Sequence, residues 1–452
     1  MKIQSVALML AAAFAEPLWA QDLLEVWHAV QQHDHTLAAA RAEYAATQTR
    51  REQADALGRP RIDFGLTAGV GNAQQRMEEA QFAAPGMGTH EGVNFATSVD
   101  AGLLTRAAVT AQQPLINPAN SAAQEQLRLS ADAGAIAWRD AQTQAMLRTA
   151  QRYFDLALAQ ETLRVTQQRA QTLSRAAEEA KARFDAGEAP ITEVHEADAL
   201  AAAAQAEIAA ANLRLSTAQQ TLAESSGLSE LTAELPPPDD APLPPLAEFL
   251  TAAEADNLQL AQAQRGVALA QQEVRRRQAG GRASLNLVAQ AGLDRLSGDG
   301  DFGRGTNRHT NAMLGLQLNL PLIDGGMSRA QTAEAAQLLE KAQAQLDAAR
   351  QQVRTQVHTA WLAHQAGTAQ VTALQAALQV GEQCLKATEL GRAVGERTLL
   401  DVLNAENARA AIALDLARAR LEPVRQRLQL AALSNQLDEN VLRRIGGALK
   451  NN

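Results

Sequence analysis

Apolar positions along the chain fall into three rhythms, and the same three recur twice in the same order. Residues 22–57 and 247–279 carry Leu and Val at three- and four-residue steps among Ala and Gln, the spacing of one helix face. A break rich in Gly and Arg follows at 58–61 and 280–282, and the period drops to two. Ile62, Phe64, Leu66, Ala68 and Val70 alternate with Asp63, Gly65, Thr67 and Gly69; Leu285, Leu287, Ala289 and Ala291 alternate with Asn286, Val288, Gln290 and Gly292. Alternation predicts strands with one apolar and one polar face. Return strands are expected at Ala107-Val109-Ala111 and at Leu314-Leu316-Leu318-Leu320. The Gly/Asp/Asn-rich stretches between, 72–94 and 297–311, read as loops. Strands of about ten residues result, the length that crosses a bilayer at a tilt.

The third rhythm is long. Residues 119–185 and 326–393 contain no proline, and the stretches 118–185 and 326–393 predict helices of roughly 100 Å at ~1.5 Å per residue, the first opening on Pro118. Gly187 and Gly395 are expected to end them as C-cap residues. Returning helices follow at 190–226 and 398–436; Pro190 suits a first turn, and Pro423 should kink the last helix.

The chain therefore contains itself twice. Gly187-Glu188-Ala189-Pro190-Ile191-Thr192-Glu193-Val194 recurs as Gly395-Glu396-Arg397-Thr398-Leu399-Leu400-Asp401-Val402, and Pro114-Leu115-Ile116-Asn117 as Pro321-Leu322-Ile323-Asp324. Gly58-Arg59 matches Gly281-Arg282, Leu37 matches Leu260, and Gly69 matches Gly292. One local change in spacing separates these landmarks, because the first copy has the longer insertion between Gly69 and Pro114. The proline-rich run from Leu235 to Pro245 cannot be helix and reads as a stiff connector. The expected division is a signal peptide at 1–20, a first repeat at 21–234 and a linker at 235–246. A second repeat at 247–437 and a tail at 438–452 complete it. The β-hairpins fall at 61–116 and 283–323, and the helical turns at 186–190 and 394–398.

Composition narrows the class. Hydrophobic residues make up 46% of the 452 but aromatics only 3%, so Ala and Leu supply the apolar surface, as in long helices and coiled coils. A net charge of -9 opposes general nucleic-acid binding. The single cysteine, Cys384, rules out a disulfide framework within one chain and reads as a packed small residue. Lys2, the apolar run Val6 to Ala15 and the small residue Ala20 read as a secretory signal cut before Gln21. No cysteine follows that cut, so no lipid anchor is expected there. No later stretch approaches the ~20 apolar residues of a spanning helix, which leaves strands as the membrane element.

Four strands cannot close a barrel, and open edges are not tolerated in lipid. Closure requires further copies of the chain; three give twelve strands, within the known range of such barrels. Helices of this length must project away from the bilayer, and their small Ala side chains let them pack side by side into the wall of a tube.

At this point the chain resembles the TolC family. The segment from Gly391 through Arg397-Thr398-Leu399-Leu400-Asp401-Val402-Leu403-Asn404 to Ala405 is similar to the family's tip motif, as is Ala182-Arg183-Phe184-Asp185-Ala186-Gly187 through Val194. The resemblance spans essentially the whole mature chain. It implies a mainly α fold with membrane β: a homotrimer with a twelve-stranded outer-membrane β-barrel, continued by a periplasmic α-helical barrel of coiled-coil hairpins closed at its inner end. It implies a periplasmic adaptor (a membrane fusion protein) and an inner-membrane ABC or RND pump as partners, with no cofactor. By position, Arg397 is the gate arginine, with Thr192 and Glu193 as acceptors on a neighbouring hairpin. Asp401 matches one acidic ring of the constriction. The second ring position is Asn404, uncharged, and Arg392 stands where the family can carry a tyrosine. Adaptor docking is expected at the turns Gly187, Glu188 and Pro190 and Gly395, Glu396 and Thr398.

Rival chemistry finds few residues. His28, His33 and His35 lack accompanying carboxylates or cysteines for a metal site. Gly298-Asp299-Gly300-Asp301 lacks the ligand ladder of a calcium loop. Arg275-Arg276-Arg277 reads as an interfacial or solvated run. No nucleophile triad, phosphate loop or general-acid pair is present, so an enzyme is not expected. A periplasmic membrane-fusion adaptor also has long helical hairpins, but two β-hairpins with lipid-ready faces argue against it. Within the family, the absence of a lipidation cysteine favours type I protein secretion, with multidrug efflux as the alternative.

Overall fold

The computed structural model describes residues 22–450 apart from 230 and 239–241, with side chains described as far as residue 446. The expected signal peptide, 1–20, lies outside the described residues, as does part of the linker. The first copy comprises α1 (Leu23–His33), α2 (His35–Ala56), β1 (Arg61–Ala84), β2 (Gly88–Ile116), α3 (Pro118–Asp185) and α4 (Ile191–Ser226). The second comprises α5 (Leu246–Asp256), α6 (Leu258–Gly280), β3 (Ser284–Gly300), β4 (Gly303–Asn319), α7 (Met327–Ala393) and α8 (Leu399–Leu433). A last helix, α9 (Glu439–Lys450), follows. The fold is mainly α with one antiparallel sheet in the order β1-β2-β3-β4, so the two hairpins join through β2 and β3.

Two expectations are corrected and a third gains detail. The stretches read as loops, 72–94 and 297–311, are largely strand: β1 and β2 run 24 and 29 residues, β3 and β4 17 each. Where both faces of a strand meet water, polar residues occupy both and the alternation vanishes, although the ladder continues. Second, each opening helix is broken once. Asp34 and Asn257 take extended conformations between α1 and α2 and between α5 and α6. Each then caps the helix that follows: Asp34 Oδ1 accepts from the backbone N–H of Thr36 and Leu37, and Asn257 Oδ1 from that of Leu260. Burial works against the Asp34 charge, but these bonds, one from the Thr36 hydroxyl and the Arg148 charge together hold its pKa below the ordinary value. Third, the expected tail carries α9, whose Leu442 is buried. Pro423 lies within α8, which runs through it; its ring packs on Gly367, where any Cβ would crowd it.

The chain forms two compact units, each drawn from both copies. One comprises Ala135–Ala263, the described residues up to Ala45 and those from Leu346 onward. Its main core gathers Trp27, Tyr153, Phe154, Leu222, Leu421 and Leu442. Burial pushes the Tyr153 phenol up to about 12. A second cluster sets Leu260 and Ala253 against Val353, Val357 and Leu430. The other unit, Ala46–Gly134 and Gln264–Gln345, holds the sheet and the helix ends that enter it. There the Gln113 amide donates to the Gly58 carbonyl, and Asn120 to that of Leu57. Two of the three consecutive arginines, Arg276 and Arg277, clamp Glu273 at 2.8 and 2.6 Å. The Arg276 bond leads in holding that carboxyl down at about 2.

Candidate functional site

The helical turns of the first unit are built alike. At the end of α3, the Gly187 N–H donates to Phe184 O and the Glu188 N–H to Arg183 O. At the end of α7, Gly395 donates to Arg392 O and Glu396 to Gly391 O. Both are Schellman motifs, and both glycines have positive φ, 76° and 85°. Pro190 then caps α4 without a side-chain bond. Thr398 caps α8 through a reciprocal box: its hydroxyl accepts from the Asp401 N–H at 3.2 Å, and Asp401 Oδ2 accepts from the Thr398 N–H at 2.9 Å. That backbone bond, more than the Thr398 hydroxyl, holds the Asp401 pKa below its ordinary value.

Beneath the turns, an alanine-rich seam fixes the helices. Leu173, Ala177 and Ala180 of α3 and Val194 and Ala197 of α4 pack with Leu399 and Leu403 of α8. Small side chains let the backbones approach closely, so the polar residues above them sit on a rigid support.

Of the residues singled out, Gly187, Glu188, Pro190, Gly395, Glu396 and Thr398 are all exposed on the two turns. Thr192, Arg397 and Asn404 are also exposed. The structure does not bring Arg397 to Thr192 or Glu193 within the chain: among the described residues its guanidinium makes no hydrogen bond or ion pair, while its backbone N–H donates to Gly391 O at 3.3 Å and its stem lies against Gly391. Glu193 faces Arg183 at 3.6 Å instead, and Arg183 also reaches Glu188 at 4.0 Å. Arg392 is the best-placed cation. Its guanidinium grips Glu179 of α3 at 2.6 and 3.3 Å, tying the end of the second long helix to the first. Sequence reasoning missed Glu179 and Arg183. They lie one helical turn apart on α3, a spacing that signals a shared face.

The second unit carries the sheet, whose registers sort its residues by face. Cross-strand rows run Ile62–Ala111–Ala289–Leu314, Phe64–Val109–Ala291–Ala312 and Leu66–Ala107–Leu293–Thr310. This face is apolar yet open: Ile62 is 70% and Leu314 74% exposed. The opposite face presents Asp63–Thr110–Gln290–Met313 and Thr67–Arg106–Asp294–His309, with Arg106 paired to Asp294 at 2.8 Å. β1 and β4 are the sheet's two edges.

His28 faces Glu439 at 3.6 Å, and the His33 ring bonds the Ala29 carbonyl. Cys384, expected to be packed, is exposed; its stretch of α7 carries few buried neighbours to enclose it. Gly298-Asp299-Gly300 is strand, and the Asp301 N–H donates to Ser98 Oγ at 2.8 Å.

Known proteins match this architecture. Residues 26–228 and 249–436, one stretch from each copy, match the family model described as outer membrane efflux protein. The chain is 29% identical over 317 residues to outer membrane protein TolC of Escherichia coli (strain K12), covering 67% of this chain and 64% of that relative. It thus spans just under two thirds of that relative's length. Against the proteases secretion protein PrtF of Dickeya chrysanthemi the identity is 24% over 414 residues, covering 89% and 85%. The fold is similar to that of the Campylobacter jejuni CmeC outer membrane channel, with a TM-score of 0.75 at 14% identity over 95% of this chain and 89% of that one.

Proposed function

Because the chain belongs to the outer membrane efflux protein family, we propose that it is one of three subunits of an export duct. The three sheets close into a twelve-stranded barrel in the outer membrane, and the helices continue the passage through the periplasm. A single observation carries this reading. The sheet has two open edges and an apolar face exposed to solvent, and in lipid both must be covered. Further copies satisfy the edges, hydrocarbon satisfies the face, and the polar face lines a water-filled passage.

The turns form the periplasmic end. Arg397, whose guanidinium makes no ion pair among the described residues of its own chain, reaches Thr192 and Glu193 of a neighbouring copy and holds the end shut. The Arg392–Glu179 pair adds a tie within each chain. Asp401 contributes one ring of charge and Asn404 an uncharged one. Exposed apolar residues Phe184, Ile191, Leu390 and Val394 flank the turns and give a periplasmic adaptor a surface to grip. The adaptor joins the duct to an inner-membrane ABC or RND pump. The cargo in this reading is protein, supported by the similarity to a protease secretion protein over most of both chains. Small-molecule efflux is the second reading, favoured by the family description.

The test is direct. Protein extracted from outer membranes should run as a heat-modifiable trimer and form discrete channels in planar bilayers. A chain that stays monomeric and leaves bilayers silent would refute the duct. Loss of secreted protein, rather than drug sensitivity, on deleting the gene separates the two cargo readings.

A further inference from the structure

On β3 and β4 the apolar face of the sheet changes character one row above Leu293 and Thr310, whereas on β1 and β2 it continues through Val70 and Leu103. The row Ala68–Thr105–Arg295–Arg308 sets two arginines directly opposite each other across β3 and β4. Both are exposed, and among the described residues neither has a carboxylate within 4.0 Å. Three other arginines of the sheet have acids of this chain for company: Arg106 pairs with Asp294, Arg61 with Asp63, and Arg304 stands opposite Asp299, whereas Arg76 stands alone opposite Ala96 and faces no second arginine. Like charges directly opposed across a ladder repel, so this pair is a cost unless an anion lies between. Hydroxyls surround it: Ser297 and Thr306 meet at 3.1 Å in the row above, and Thr310 lies in the row below.

The height of the pair identifies the anion. Ten residues separate Leu285, where the apolar band begins, from Arg295 along β3. At ~3.3 Å per residue and a tilt of roughly 40°, that rise is roughly 25 Å, the height of the apolar band of an outer-membrane barrel. The pair lies toward the β3–β4 turn, away from the ends that enter α6 and α7. It therefore sits at the headgroups of the outer leaflet. In a closed barrel the free edge of β4 meets β1 of the next copy, whose outward residues Ile62 to Val70 include no carboxylate.

We propose that Arg295 and Arg308 clamp a phosphate on the headgroup of an outer-leaflet glycolipid, with the neighbouring hydroxyls completing the site. The clamp rests on the duct reading, since it needs this face in lipid. Two forked guanidiniums suit a phosphate, which accepts paired hydrogen bonds from each.

The test uses the full chain in phosphatidylcholine vesicles doped with bisphosphorylated lipid A or with its dephosphorylated form. Lipid retained by the extracted trimer is counted by native mass spectrometry. Wild type should retain the phosphorylated form with roughly tenfold preference. R295Q/R308Q should lose that preference, Arg308→Gln alone should lose part of it, and Arg304→Gln should keep it. Equal retention of both lipids by wild type, or a preference that survives in R295Q/R308Q, would overturn the clamp. So would its loss to competing inorganic phosphate, which would make free phosphate the occupant. A chain that enters no vesicle at all would instead sink the duct reading, and the clamp with it.

Discussion

Replacing Glu179 with Gln is expected to loosen the closed end of the duct. Arg392 holds Glu179 by two bonds, Nη2 at 2.6 Å and Nη1 at 3.3 Å, in a forked geometry. The Arg392 side chain is 19% exposed, but Glu179 is 52% exposed, so water screens the pair. A forked pair with one partner half in solvent holds about 0.5–1 kcal/mol. Three copies in one trimer then hold about 1.5–3 kcal/mol. At about 1.4 kcal/mol per factor of ten, the closed-to-open ratio falls roughly ten- to a hundredfold. The assay is single-channel recording in planar bilayers, comparing wild type, Glu179→Gln, Arg392→Gln and the exchanged pair Glu179→Arg/Arg392→Glu. The single variants should spend more time at high conductance, and the exchange should restore wild-type behaviour. The difference should shrink as KCl rises, because the screening length falls to about 3 Å at 1 M. Unchanged gating in Glu179→Gln, or an exchange that restores nothing, would show that the pair merely decorates the helices.

Arg397→Ser should raise conductance in the same recordings, and a gate indifferent to it removes Arg397 from the closed contact. Asp401→Ala should lessen block by divalent cations; unaltered block takes Asp401 out of the constriction. The Asp401 pKa is depressed below its ordinary 3.8, so its contribution to the start of α8 is complete above that pH and is lost as pH falls through the lower, folded value. Acid titration followed by hydrogen exchange at Val402 and Leu403 should show this loosening in wild type and not in Asp401→Asn. Leu314→Arg places a charge in the middle of the apolar band and should cost roughly 2–4 kcal/mol of barrel stability, read as a lower urea midpoint for the heat-modifiable trimer. Asn257→Ala removes the cap on α6 and leaves the buried Leu433 carbonyl without its 2.8 Å donor; a loss of about 1–3 kcal/mol should appear in thermal unfolding.

What the sequence displayed depended on how many surroundings each residue had to satisfy. The apolar face of the sheet faces one medium over its whole length, so Ile62 to Val70 and Leu314 to Leu320 alternate cleanly and were legible. The outer halves of the same strands face water on both sides, so nothing distinguished them from loops. The turns were legible because only glycine enters the left-handed region cheaply, which fixed Gly187 and Gly395. The breaks at Asp34 and Asn257 leave no mark in the rhythm, although Leu37 and Leu260 match between the copies. A cap within an otherwise periodic stretch changes one residue's conformation and leaves the rhythm on either side intact. The partner of Arg392 was hidden for another reason. Glu179 lies 213 positions away, and only the folded seam between α3, α4 and α8 brings the two hairpins into register.

That seam and the bonds above it differ in kind, and the difference bears on how the end would open. The seam is apolar and buried, with Leu173, Ala197 and Leu403 almost wholly enclosed. Parting it exposes hydrocarbon at about 25 cal/mol per Å², on every protomer at once. The Schellman turns and the Thr398 box hold each helix end by hydrogen bonds local to that end. The charged contacts Arg392 with Glu179, Arg183 with Glu193 and Arg169 with Glu207 join separate helices through water-exposed atoms, and Arg183 with Glu188 ties α3 to its turn. Each is worth about a kilocalorie or less, a scale a docking partner can offset. A path that breaks charged ties and slides the helices along an intact alanine seam therefore costs far less than one that unpacks it. Small side chains also make sliding possible, because they offer shallow ridges where leucine would lock the register. Widening Ala177 or Ala180 to Leu should stiffen the gate without touching any ion pair. A channel that opens as readily with the widened seam would mean that opening does not use it.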